Sequence, residues 1–241
     1  MRLLIFIRGV LVLMLTPFIT FLTSLLAILF LVILRGSAQK AQVLPRTWAK
    51  IILAAGGVKV KVEGLHNIDK GGPYIFAANH QSQFDIFAMQ GCFDFDFRWL
   101  AKKELFQIPL FGRAMQLAGY ISIDRSHGRE ALKSLNEAAE RIAAGTSVIL
   151  FPEGTRSLDG KLHDFKSGGM VLAIKSGVPL VPVGICGTYE ILPKGRLLAK
   201  PGHVIIRVGK PIETRQFSAS QKHELAAKIQ SEVARLISGS A

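Results

Sequence analysis

Apolar and polar positions follow three different patterns along this chain, and each pattern predicts a different kind of element. Residues 9–34 carry no charge and are dominated by Leu, Ile, Val and Phe. A bilayer core takes about 20 apolar residues as helix, so the run is long enough to span one with some tilt. Pro17 inside it either kinks a membrane helix without ending it or divides the run into two shorter inserted pieces. A second segment, 41–55, sets Val43, Leu44, Trp48, Ile51, Ile52 and Leu53 against Arg46 and Lys50. At about 15 residues it is too short to span. It reads as an amphipathic helix lying flat at an interface, or as an ordinary core helix.

From residue 58 the pattern becomes that of a globular domain. Residues 58–62 alternate with period two, as a half-buried strand does. Short apolar strands are predicted at 74–78, 97–101, 120–123, 147–151, 180–185 and 203–208. Helical spacing appears at 128–144, where Leu132, Leu135, Ala139 and Ile142 share a face and Gly145 supplies the stop. It recurs at 166–175 and at 221–237, through Leu225, Ile229, Val233 and Leu236. Strands that are apolar throughout and alternate with helices predict an α/β fold: a mixed, mostly parallel sheet flanked by helices, preceded by a membrane-inserted helical segment. The division falls at 57/58, with an anchoring segment 1–57 and an α/β domain 58–241.

Composition narrows the class. The chain has 241 residues, 49% of them hydrophobic, which excludes a disordered protein. Lys and Arg number 30 against 17 Asp and Glu, a net charge of +13, and the first acidic residue is Glu63. Such a charge suits nucleic acid or an anionic membrane. No nucleic-acid-reading motif occurs, and the apolar N-terminus decides for the membrane. Arg2, Arg8 and the small residues Gly36, Ser37 and Ala38 outline a signal peptide, but the apolar run far exceeds the usual 7–15 residues. The two cysteines, Cys92 and Cys186, lie in apolar runs and read as buried thiols, not a disulfide framework.

Two stretches carry candidate chemistry. Residues 79–85 read NHQSQFD and follow a buried strand, the place where α/β folds meet their ligands. Five residues of helix turn about 500°, so His80 and Asp85 share no helical face; a turn after the strand would bring the carboxylate onto the imidazole and leave the other nitrogen as general base. The plainer alternative is Asn79 as a helix cap beside a buried, hydrogen-bonded His80. Residues 151–157 read FPEGTRS and follow another buried strand. Gly154 permits close backbone approach, Arg156 offers a bidentate fork for phosphate, and Glu153 suits a hydroxyl. Alternatively this is a Pro/Gly loop with a solvated arginine. Asp124 and Arg125 end a strand as an ion pair or an anion contact, and Lys102 and Lys103 follow another. No spaced metal-ligand set, dinucleotide loop or G-x-S-x-G elbow is present.

Together these residues resemble the glycerolipid acyltransferase family, and within it the bacterial 1-acylglycerol-3-phosphate acyltransferases. The blocks NHQSQFD at 79–85, ISIDR at 121–125, FPEGTRS at 151–157 and VPLVPV at 178–183 appear in the family's order. The resemblance implies that His80, oriented by Asp85, takes the proton from the free hydroxyl of lysophosphatidic acid, whose oxygen then attacks an acyl thioester. It implies that Lys102 and Arg156 hold the acceptor phosphate, that Glu153 and Gly154 shape the glycerol end, and that Arg125 is a weaker anion contact. It implies no resident cofactor, with acyl-CoA or acyl carrier protein as co-substrate. Expected partners are lysophosphatidic acid, the acyl donor and an anionic membrane surface, with no nucleic acid. The expected location is the cytoplasmic membrane, with the catalytic domain on its cytoplasmic side.

Overall fold

The computed structural model describes residues 2–124 and 128–239. Helix α1 (Arg2–Ile28) runs unbroken through Pro17 and passes into a π-type segment, Leu29–Ile33. Thr16, Thr20 and Ser24 each turn their hydroxyl onto the carbonyl four residues back at 2.7 Å, the way polar side chains are satisfied inside an apolar helix. A short helix α2 (Ala38–Ala41), capped by Ser37, leads into α3 (Val43–Gly56), which packs antiparallel to α1. Gly57 closes α3 with φ +67°, a conformation that favours glycine.

The sheet has seven strands: β1 (Val58–Glu63), β2 (Ile75–Ala78), β3 (Arg98–Lys102), β4 (Ile121–Ile123), β5 (Val148–Leu150), β6 (Leu180–Cys186) and β7 (Gly202–Val208). Their order is β1-β7-β6-β2-β5-β3-β4, and every pairing is parallel except β6 with β7. This is the mixed, mostly parallel sheet expected. β2 is buried at all four positions because helices cover both faces: Phe76 and Ala78 point to one core, Ile75 and Ala77 to the other. The first core is covered by α1, α3, α4 (Phe84–Cys92) and α5 (Phe111–Leu117). The second is covered by α6 (Arg129–Ala143), α7 (Ser167–Ser176) and α9 (Lys222–Ser238). A four-residue α8 (Thr188–Ile191) follows β6.

Val12, Ala49, Ile52 and Leu53 belong to the same core cluster as Phe76 and Phe84, so α1 and α3 are packed onto the sheet layer. The pattern predicted no helix at α4, because seven of its nine residues are buried and no polar face repeats. The two cysteines are half-buried rather than wholly buried, and burial raises both thiol pKa values.

Candidate active site

Parallel pairing brings the C-terminal ends of β2, β3 and β5 to one edge, and the candidate chemistry gathers there. After β2 the chain does not enter a helix at once. Ser82 makes the turn: its hydroxyl accepts from Phe84 N at 3.1 Å and donates to Leu192 O at 2.8 Å. The turn carries Asp85, in the first turn of α4, back toward the strand end. Asp85 Oδ2 accepts from Gln81 N (2.7 Å) and Ser82 N (2.8 Å) and lies 2.8 Å from His80 Nδ1. The carboxylate is fully buried at a helix N-terminus, where negative charge is favoured. Against it the proton belongs on Nδ1, leaving the Nε2 lone pair for an incoming hydroxyl. Asn79 is not a helix cap. Its amide bonds both the N–H and the C=O of Ile185 on neighbouring β6, at 2.7 and 2.8 Å, and so fixes the end of β2.

The loop after β5 locks onto His80 from the other side. His80 N donates to Glu153 Oε1 at 2.6 Å, and Ser157 N donates to His80 O at 2.9 Å. The imidazole stacks on Phe151 with centroids 3.9 Å apart and planes 9° from parallel. Glu153 also accepts from His163 N at 3.1 Å. Glu153 is buried, accepts from two backbone N–H groups, and is not among the residues that line the cavity. Burial pushes its carboxyl above the ordinary value, against the pull of those two donors. Gly154 turns the chain with φ +78°, and a Cβ there would lie 3.1 Å from Lys166 Nζ.

A cavity of about 400 Å³ opens at this edge. His80, Lys102, Gly154 and Arg156 line its mouth, and mostly apolar side chains from β3, α4 and α5 line its length. Its outer wall is α1, through Thr20, Thr23, Ser24 and Ala27, held by the Trp48 indole donating to Thr20 Oγ1 at 2.9 Å. At the other end of β3, Gln90 Oε1 accepts from Trp99 Nε1 at 2.8 Å and from Tyr120 OH at 3.4 Å. Lys102 is exposed and Arg156 half-buried. Asp124 pairs with Lys103 at 2.6 Å. Arg125 lies outside the described residues. Sequence reasoning missed Phe151 as the ring under the imidazole. It also missed Lys194, whose ammonium donates to Thr155 Oγ1 and Arg156 O, both at 3.1 Å, and so orders the Arg156 loop. Neither residue is near its partner in a way that periodicity reveals.

Fold and site together describe an α/β protein with a histidine–carboxylate pair and two cations at the mouth of an apolar cavity. The chain belongs to the Acyltransferase family, whose model matches residues 59–186. Among its relatives is a chloroplastic 1-acyl-sn-glycerol-3-phosphate acyltransferase of Arabidopsis thaliana, 36% identical over 169 residues, covering 69% of this chain and 47% of that protein. A 1-acyl-sn-glycerol-3-phosphate acyltransferase of Saccharomyces cerevisiae is 36% identical over 180 residues, covering 73% of this chain and 59% of that one. The chain thus spans about half the length of the curated relatives it matches. The crystal structure of the 1-acyl-sn-glycerophosphate acyltransferase of Thermotoga maritima superposes with a TM-score of 0.75 at 30% identity, covering 99% of this chain and 98% of that one.

Proposed function

We propose that this protein transfers an acyl group from a thioester to the sn-2 hydroxyl of lysophosphatidic acid, giving phosphatidic acid. The observation that carries the reading is His80, paired with the buried Asp85 and opening onto an apolar cavity with Lys102 and Arg156 at its mouth. His80 Nε2 takes the hydroxyl proton, the oxygen attacks the thioester carbonyl, the carbon–sulfur bond breaks, and the thiol leaves with that proton. Asp85 holds the tautomer and stabilises the imidazolium. Arg156, with Lys102, holds the acceptor phosphate through charge-assisted hydrogen bonds. The apolar cavity takes acyl chain. The names of the relatives support the acceptor. No resident cofactor enters this scheme: the thioester, acyl-CoA or acyl carrier protein, is a co-substrate. The experiment is the purified chain with lysophosphatidic acid and each donor in turn, the lipid products resolved by mass. Phosphatidic acid with free thiol is expected. Product only from lysophosphatidylglycerol or an ornithine lysolipid in a panel of acceptors would reassign the acceptor, and free fatty acid alone would overturn acyl transfer.

We further propose that residues 1–57 anchor the α/β domain to the cytoplasmic membrane, with the catalytic edge on the cytoplasmic side. The 32-residue apolar stretch Arg2–Ile33 supports this: only 17% of its most apolar window is buried, although the helix stays packed on the body from Gly9 to Ala27. Its outward face offers Phe6, Leu11, Met14, Phe18 and Phe21 to lipid. Apolar burial is not screened by salt, so membrane binding should survive a wash at about 1 M salt; release there would remove the anchor.

A further inference from the structure

We infer that the α/β body makes a membrane contact of its own, distinct from α1: three loop tips around the cavity mouth, seated on the surface of an anionic phospholipid bilayer. The inference rests on the acyl-transfer reading only for what the contact serves. The tips are Ile108 in the loop after β3, Leu158 in the loop after β5, and Leu197 in the loop between α8 and β7, at 46%, 70% and 71% exposure. One exposed leucine is ordinary on a soluble surface. Three on separate loops at one edge of the sheet are more than that, and apolar groups exposed together at one edge mark partner or membrane contacts.

The loops are tied into one rim. Tyr189 OH, in α8, donates to Leu158 O at 3.0 Å, and Lys194 joins the Leu197 loop to Arg156 O. Leu105, from the Ile108 loop, lines the same cavity as Arg156. Cations are interleaved with the tips: Lys103, Lys161, Lys194 and Arg196. The same elements carry acids as well: Asp124 is paired with Lys103, Asp159 is held by Lys161 N, Ser157 Oγ and His163, and Glu104, Asp164 and Glu190 are exposed. Apolar tips set among basic side chains fit the boundary between headgroups and acyl chains of an anionic leaflet. The rim also abuts α1, on its buried side at Gly9. Gly9 of α1 lies where an added Cβ would be 3.0 Å from Leu198 Cβ and from Ala199 O, and α5, just after the Ile108 loop, packs against α1. Seated this way, the mouth meets lipid directly, so a lysolipid reaches His80 without its chain crossing water. An acidic carrier protein would use the cations but gives no reason for leucines 70% exposed.

The test uses the full chain bound to vesicles. An environment-sensitive fluorophore is placed at Ile108→Cys, Leu158→Cys or Leu197→Cys in a Cys92→Ala, Cys186→Ala background, with Ser231→Cys on α9, behind the sheet, as control. On phosphatidylglycerol–phosphatidylcholine vesicles the three rim labels should shift to the blue and be quenched by a lipid-borne quencher, while the control label does not respond. A rim as unresponsive as the control overturns the proposal. The second arm needs no cysteines. The triple variant Ile108→Asp, Leu158→Asp, Leu197→Asp should stay on vesicles through α1. It should lose about tenfold in rate on bilayer-embedded lysophosphatidic acid and little on a short-chain, water-soluble analogue. Equal loss on both substrates, or no loss on vesicles, overturns it. If Lys161→Glu with Arg196→Glu slows only the carrier-protein-donor reaction and the rim labels do not respond, the surface is a protein-docking site and the proposal falls. The labels report insertion whether or not the chain acylates lysophosphatidic acid, so failure of the acyl-transfer reading is seen separately.

Discussion

The two motif loops of the site are built to opposite standards. The turn at 79–85 is mostly buried and densely hydrogen-bonded, although Asp85 Oδ1 is buried without a partner. Asp85 Oδ2 has three partners, Asn79 grips β6, Ser82 bonds in both directions, and His80 is fixed through its N–H, its C=O and its ring. The cationic side is looser at its side chains: Lys102 is exposed at a strand end and Arg156 is half-buried, although the loop backbone around Arg156 is tied to His80 through Ser157 N and to Lys194 through Arg156 O. The contrast fits the two tasks of the proposed reaction. Proton transfer needs donor and acceptor within about 2.6–3.2 Å, and the group proposed as base is the one the fold holds in place. A phosphate is gripped by charge over a broader range of geometry, and a lipid headgroup must enter and leave.

The contrast makes the rigid loop the more fragile one. Under the proposed mechanism His80→Ala should lower kcat by about 10²–10⁴ while thermal unfolding of the variant stays near wild type, since the side chain lines the cavity and fills neither core. Asp85→Asn should lose activity steeply and stability as well. One face of its amide would meet backbone donors that now point at a carboxylate, a mismatch costing about 1–3 kcal/mol. Near-normal turnover in either folded variant would break the proposed mechanism.

On the looser side the effect should fall on binding. Arg156→Ala should raise the acceptor KM some 30-fold or more, from about 2–5 kcal/mol for losing a half-buried charge partner, and leave the donor KM nearly unchanged. Arg156→Lys should fall between, keeping the charge without the planar fork. Titration of both substrates decides it; a selective rise in donor KM would move Arg156 to the donor site.

A smaller effect separates positioning from binding. Glu153 has a folded pKa raised by burial, so the folded state holds its proton more tightly than the unfolded one. Stability should therefore fall as pH rises from the unfolded carboxyl value, near 4.3, through the raised one. Glu153→Gln should flatten that slope and lower kcat more than it raises the acceptor KM, because His80 N loses its carboxylate partner. Smallest of all is Asp159→Asn. This exposed carboxylate is held at a pKa of about 2 by the backbone N–H of Lys161, then by Ser157 and His163. Its contribution is present above the unfolded value near 3.9 and disappears as pH falls toward 2. The variant should differ little from wild type at neutral pH in rate or melting temperature, with the gap between them closing in acid.

How much was legible in the sequence depends on the length scale of each interaction. The strands at 58–62 and 180–185 and the closing helix at 221–237 announced themselves because period and burial agree locally. α4 was illegible because burial all round erases its period, although it carries the carboxylate. The residue types of the site were readable as His80, Asp85, Arg156 and Lys102, since each chemistry needs a particular side chain. Their roles divided only in three dimensions. Glu153 faces two backbone N–H groups across separations of 73 and 10 residues, and Phe151 reaches His80 across 71. The sequence by itself determined the alternation of strand and helix, the charge, the apolar N-terminus and the chemical kit, because these are properties of neighbours in the chain. Only the tertiary structure decided that β2, β3 and β5 end at one edge, that α1 walls the cavity instead of leaving the body, and which polar groups hold and which are left to bind. Strand order and long-range hydrogen bonds are set by packing between segments whose separation no local pattern encodes.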